Sequence, residues 1–81
     1  MVIIVVFSQH LSEMQELKTI GKNIVSIRKR KGLTQEDLCG LADMDRSYLS
    51  EIENGHKNFS ITVLLKMVEA LETTPNKILK L

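Results

Sequence analysis

Residues 34–55 read TQEDLCGLADMDRSYLSEIENG, and their interpretation decides the fold. Thr34 is a side chain able to accept a backbone N–H at a helix start. Asp37, three residues on, can answer it in a loose capping box, with Asp in place of the preferred Glu. The helix opened there, Gln35 to Ala42, carries Leu38, Leu41 and Ala42 as its expected inward face. A tight break follows at Asp43-Met44-Asp45. Asp45 is a good N-cap for the next helix, Arg46 to about Asn54, and Gly55 ends it. That helix has two unlike sides. Leu49 and Ile52 face inward, while Arg46, Ser47, Ser50, Glu51 and Asn54 lie opposite.

Working outward, Leu17, Ile20, Ile24 and Ile27 recur at spacings of three and four, which predicts a helix from about Ser12 to Lys31. Ser12 would cap it, with Glu13 and Glu16 in the first turn. The basic run Arg28-Lys29-Arg30-Lys31 closes it, and Gly32 stops it. Downstream, Ser60 opens a fourth helix through Leu71, with Ile61, Leu64, Leu65, Val68 and Leu71 apolar. Leu65 and Met67 widen its apolar side beyond what one small core covers, so part of it is expected to meet a partner or, alternatively, the N-terminal arm. Thr74-Pro75 starts a last short helix bearing Ile78, Leu79 and Leu81, which are expected to add to the surface that meets a second copy. Residues 1–7, MVIIVVF, are too short to span a bilayer and lack the flanks of a signal peptide. Their β-branched content predicts an extended arm or strand over residues 1–12. The expectation is an all-α, compact five-helix fold in one domain over residues 1–81. Residues 17–71 form its core and 74–81 its short C-terminal helix.

At 81 residues the chain sits near the size where one core is marginal, so a second copy would help. Its net charge of +1 does not mark a nucleic-acid binder. The distribution is more informative: Arg28–Lys31 forms one basic run, His56-Lys57-Asn58 a smaller patch, and Glu13, Glu16, Glu69 and Glu72 lie elsewhere. The single Cys39 rules out an intramolecular disulfide. No His/Cys cluster has metal-ligand spacing. With no nucleophile–base pair, paired catalytic carboxylates or phosphate loop, the sequence predicts no enzyme, metal, cofactor, membrane span or small-molecule ligand.

Two helices joined by about three residues match a helix-turn-helix, whose second helix enters the DNA major groove. Arg pairs bidentately with guanine, Glu accepts from cytosine N4, and Ser fits either. Thr34 and Gln35 stand where free backbone amides favour phosphate. Lys57 and Asn58, in the loop after the third helix, would fix register on the DNA backbone.

Residues 20–71 resemble the lambda-repressor/Cro-like helix-turn-helix family. The resemblance rests on Ile20–Ile24, on Arg28-Lys29-Arg30-Lys31-Gly32-Leu33-Thr34-Gln35-Glu36-Asp37-Leu38, and on Ser47-Tyr48-Leu49-Ser50-Glu51-Ile52-Glu53-Asn54-Gly55. Within it, Asp45–Ser50 and Lys57–Ile61 look like controller proteins of restriction–modification systems. The resemblance implies that Gln35 holds a phosphate and braces the recognition helix. It implies that Arg46, Ser47 and Glu51 face bases with Ser50 close by, and that Thr34, Asn54, Lys57 and Asn58 touch the DNA backbone. It also implies an ion pair between Arg28 and Glu53. Two departures stand out: Asp43 where the family usually has Gly in the turn, and Cys39 where it has a small Ala. Asp tolerates the left-handed conformation, and Cys packs as a small hydrophobe. The expected function is transcriptional regulation in the cytoplasm, by a homodimer on an inverted repeat in double-stranded DNA. A controller leads, ahead of a phage-type repressor and an antitoxin; a protein-docking adaptor is the rival from another class.

Overall fold

The computed structural model describes the backbone of residues 2–81 and the side chains of residues 13–81. Among the described residues five helices follow one another: α1 (Val2–Arg30), α2 (Gln35–Ala42), α3 (Arg46–Glu53), α4 (Ile61–Leu71) and α5 (Pro75–Ile78). The all-α, five-helix expectation is met. The expected arm or strand over residues 1–12 is corrected, because α1 begins at Val2 and Ser12 lies within it. Strand preference amounts to at most about 1 kcal/mol across the residue scale and depends on a neighbouring strand. No Pro or Gly precedes Gly21 to interrupt the helix. What residues 1–12 pack against lies outside the described side chains.

Local chemistry sets the other boundaries. Thr34 Oγ1 accepts from the Asp37 N–H at 3.0 Å, and Asp37 Oδ2 accepts from the Thr34 N–H at 2.8 Å. The Thr34 backbone N–H, then its hydroxyl, hold the Asp37 carboxyl below the usual range. Asp45 accepts from the N–H groups of Ser47 and Tyr48, and Ser60 from that of Val63. Thr74 occupies the N-cap of α5 without a side-chain cap bond. Asp43 is left-handed at φ 53, so the turn keeps the shape that glycine would allow. Glu72, at φ 51, ends α4 in the same way.

The core is built from Ile24 and Ile27 of α1, Leu38 and Ala42 of α2, Leu49 and Ile52 of α3, Leu64, Met67 and Leu71 of α4, and Ile78 of α5. Three side chains depart from expectation. Leu41 is 62% exposed rather than inward, because α2 is short and its inward stripe is Leu38 and Ala42, one turn apart. Met67 does not widen an outer face but is fully buried, and so is Ile78. Among the described residues the large apolar side chains left outside are Ile61 and Leu65 on α4 and Leu79 and Leu81 beyond α5, besides Met14 and Leu41. Asn23, a polar residue amid the apolar stripe of α1, donates to the carbonyls of Ile78 at 2.9 Å and Lys80 at 2.8 Å. It fastens the chain's last turn to α1.

Candidate nucleic-acid interface

The interface is organised around the end of α3. Glu53, its last residue, is buried with Arg28 of α1. Arg28 Nε donates to Glu53 Oε2 at 2.8 Å, and Nη2 donates to Oε1 at 3.0 Å. Arg28 Nη1 donates to the Leu33 carbonyl at 2.9 Å. Gln35 Nε2, at the start of α2, donates to Glu53 Oε1 at 2.9 Å. One carboxylate therefore joins three helices. Every buried polar side-chain atom among the described residues has a partner. The geometry is the planar fork-to-carboxylate match that arginine makes and lysine cannot.

Close backbone approach completes the mounting. A Cβ added at Gly21 would lie 2.4 Å from the Glu53 carbonyl oxygen and 2.6 Å from that of Ile52. Gly55, at φ 74, faces the backbone of Lys18, 2.6 Å from where its Cβ would stand. Thus α1 crosses the end of α3 in direct main-chain contact.

The opposite side of α3 is polar. Arg46, Ser47 and Glu51 are exposed and Ser50 is half-buried. Two exposed ion pairs sit here. Arg46 Nη1 lies 3.3 Å from Glu36 Oε1 on α2, and Lys57 Nζ lies 3.3 Å from Glu51 Oε2. Lys57 also stands over the Tyr48 ring, 5.9 Å from its centre, while that ring is half-buried against the core. Asn54 is exposed; its amide donates to the Ser50 carbonyl at 2.9 Å and closes the helix, keeping a second N–H. Asn58 Oδ1 accepts from the Phe59 N–H at 2.8 Å, leaving its NH₂ group as donor. Thr34 is exposed, its hydroxyl engaged in the cap. An open hollow of about 550 Å³ between the starts of α2 and α3 is lined by Arg28, Leu33, Thr34, Gln35, Glu36 and Arg46. The structure thus brings Thr34, Gln35 and Arg46 around one hollow, and Glu51 and Lys57 into contact. Asn58 lies further along the loop.

Sequence reasoning passed over Glu36 and Asn23. Glu36 resembled any first-turn acid, and only its place opposite Arg46 distinguishes it. Asn23 carried a legible signal, an amide inside an apolar stripe. Burial raises the pKa of Cys39, and Asp45 and Glu53 add to it, so the thiol stays protonated and packs as a small apolar group. Among the described residues no group of His, Cys, Asp or Glu could hold a metal ion.

A short helix, a tight turn and a second helix braced from behind with its polar side outward define a helix-turn-helix protein. The helix-turn-helix family's sequence profile matches residues 24–78, and the chain belongs to that family. It is similar to the restriction–modification controller protein C.AhdI from Aeromonas hydrophila. The TM-score is 0.77 at 36% identity, over 79% of this chain and 97% of that one. It is 38% identical over 63 residues to control protein C.MunI of Mycoplasma sp, covering 75% of this chain and 85% of the relative. It is also 42% identical over 53 residues to the immunity repressor protein of Bacillus phage phi105. That match spans 65% of this chain and 37% of the repressor.

Proposed function

We propose that the chain is a sequence-specific DNA-binding transcriptional regulator of the restriction–modification controller type, acting in the cytoplasm as a homodimer on an inverted repeat. The observation that carries this reading is the mounting of α3. Its inner side is fixed to α1 and α2 through Glu53, and its outer side presents Arg46, Ser47, Ser50 and Glu51. Those side chains can donate to guanine, accept from cytosine N4 and bridge to either. Around them, Thr34, Gln35, Asn54, Lys57 and Asn58 stand where a phosphate backbone would run alongside the helix.

Gln35 contributes in two ways. Its Nε2 braces Glu53, and its position at the start of α2 sets backbone amides toward an anion. A phosphate bound there would draw on the same residue that holds the recognition helix, so backbone contact and helix orientation are coupled.

A phage-type repressor is the second reading, favoured by the match to the phi105 immunity repressor. The controller is preferred because control proteins recur among the similar proteins, C.AhdI at 36% and C.MunI at 38% identity. Selection from a randomised duplex pool, followed by gel shift, tests DNA reading. An enriched consensus is expected, and none would leave the docking adaptor. Genes for a methyltransferase and an endonuclease beside this one are expected for a controller; phage lysogeny genes in their place would favour the repressor.

A further inference from the structure

The side of α3 proposed to read DNA involves four charged side chains that are paired within the molecule. Arg46 is held by Glu36 and Lys57 by Glu51, both at 3.3 Å. The charges therefore sum to zero. Free cations bind the phosphate backbone of any sequence. Cations shared with carboxylates of the same protein make a poorer general clamp.

The two pairs are built differently. Glu51 lies on α3 and is itself a candidate base reader. Glu36 lies on α2, in a first turn fixed by the Thr34–Asp37 box. The Asp45 cap makes Arg46 the first residue of α3. Two helices with capped starts, α2 running into α3 through a three-residue turn, thus set a carboxylate beside a guanidinium. Among the described residues, Glu36 is the one hydrogen-bonding partner of the Arg46 side chain, through Nη1. The Nε–Nη2 edge retains two parallel N–H donors, the pair that matches guanine O6 and N7.

We propose that Glu36, outside the recognition helix, determines specificity by positioning Arg46: it holds Nη1, leaves the Nε–Nη2 edge for guanine, and withholds the guanidinium from phosphate. The inference rests on the DNA-reading function proposed above and names a further residue for it. Glu36 touches no base in this arrangement and acts through Arg46. The side chains of Arg46 and Glu36 are 64% and 76% exposed, so the pair is weak and its removal should change binding by about two- to fivefold. The same exposure means that variants at either position are expected to fold as the parent does.

The test uses two duplexes: the consensus that the wild-type chain recovers from a randomised pool, and a scrambled duplex of equal length and composition. Dissociation constants for both are measured by fluorescence anisotropy at one salt concentration. The proteins are wild type, Glu36→Gln, Arg46→Ala and the double variant. Glu36→Gln is expected to narrow the scrambled-to-consensus ratio about two- to fivefold, chiefly by tightening the scrambled duplex. In the Arg46→Ala background the same change is expected to leave the ratio where it was. A ratio unmoved by Glu36→Gln with Arg46 present overturns the proposal and leaves DNA reading standing. So does a ratio that moves equally with Arg46 absent. A wild-type chain that recovers no consensus overturns DNA reading itself, and this inference with it.

Discussion

Arg28 is a buried cation whose three donor nitrogens are all satisfied, two by Glu53 and one by the Leu33 carbonyl. Such a pair adds little net stability over apolar residues, but removing one partner strands the other charge. Glu53→Ala should therefore cost about 3–5 kcal/mol. In a domain of this size that lowers Tm by at least about 12 °C, with no DNA present. An unchanged melting curve would mean that Arg28 reaches water and that α1 does not hold α3 through this carboxylate. Asp37 illustrates a different residue-scale effect. Its folded pKa lies below its unfolded one because the charged form accepts from Thr34. The resulting stability is present above the unfolded value and is lost as pH falls below it and through the folded one. Asp37→Asn should flatten that part of a stability-against-pH curve; parallel curves for the two proteins would show that the cap contributes nothing electrostatic. Cap and ion pair differed in how readily the sequence disclosed them. Thr34 and Asp37 are three apart and interact locally. Arg28 and Glu53 are twenty-five residues apart, and nothing in either residue alone announces a partner. Only resemblance to a family pointed at them.

Helix boundaries were legible where a side chain closes on its own backbone. Asp45 and Ser60 accept backbone N–H groups within three residues, so short-range chemistry sufficed. Asp43 kept the turn because a short polar side chain tolerates φ near +50. Ser12 failed for the converse reason. A capping side chain starts a helix only where the preceding chain turns away, and α1 continues back to Val2. Leu41 was misplaced because a helix of eight residues has too few turns for periodicity to separate its core from its rim. The contact of α1 with α3 was equally hidden, since Gly21 looks like an ordinary weak spot in a helix. It is instead where two main chains touch, and a Cβ there would stand 2.4 Å from the Glu53 carbonyl oxygen. Neither backbone can yield without separating the helices. Gly21→Ala is expected to cost about 1–3 kcal/mol and to displace α3, so that DNA binding falls with stability. Normal melting together with normal binding would place the crossing elsewhere. The start of α1 gives the opposite expectation. Among the described residues the first fully buried core side chain is Ile24, with Ile20 packed beside it, and the family match begins at the same position. A chain beginning at Glu13 should therefore keep the cooperative melt and the DNA affinity of the parent. If it sediments as a monomer where the full chain is a dimer, residues 1–12 belong to the dimer interface.

At the scale of the whole molecule, one eight-residue recognition helix reads only a few base pairs, too few to find a site in a genome. Two copies related by a twofold axis double the readout and place half-sites about 34–36 Å apart. Surface for such pairing exists: Ile61 and Leu65 stand one turn apart on α4, 71% and 53% exposed, and Leu79 and Leu81 follow α5, the helix packed against α4. Ile78, whose place in the sequence pointed the same way, is in the core and takes no part. Leu65→Glu should therefore yield a folded monomer by sedimentation that has lost the inverted repeat. A dimer that survives it would move the interface elsewhere. On the intact dimer, Arg46→Ala should cost about 1–3 kcal/mol per half-site and relax preference at one position in each. Lys57→Ala should weaken every sequence alike and reduce the salt slope, since a phosphate contact carries no sequence information. Its pairing with Glu51 moderates that loss, because part of the Lys57 charge is already engaged in the free protein. With six to ten phosphate contacts per dimer, wild-type affinity should fall on the order of a thousandfold or more between about 50 and 200 mM salt. Site selection on wild type and the two single variants, repeated across that salt range, checks all of this together. A consensus without twofold symmetry would remove the dimer. Equal loss on every sequence for Arg46→Ala would reduce that residue to a phosphate contact and leave base reading to Ser47, Ser50 and Glu51.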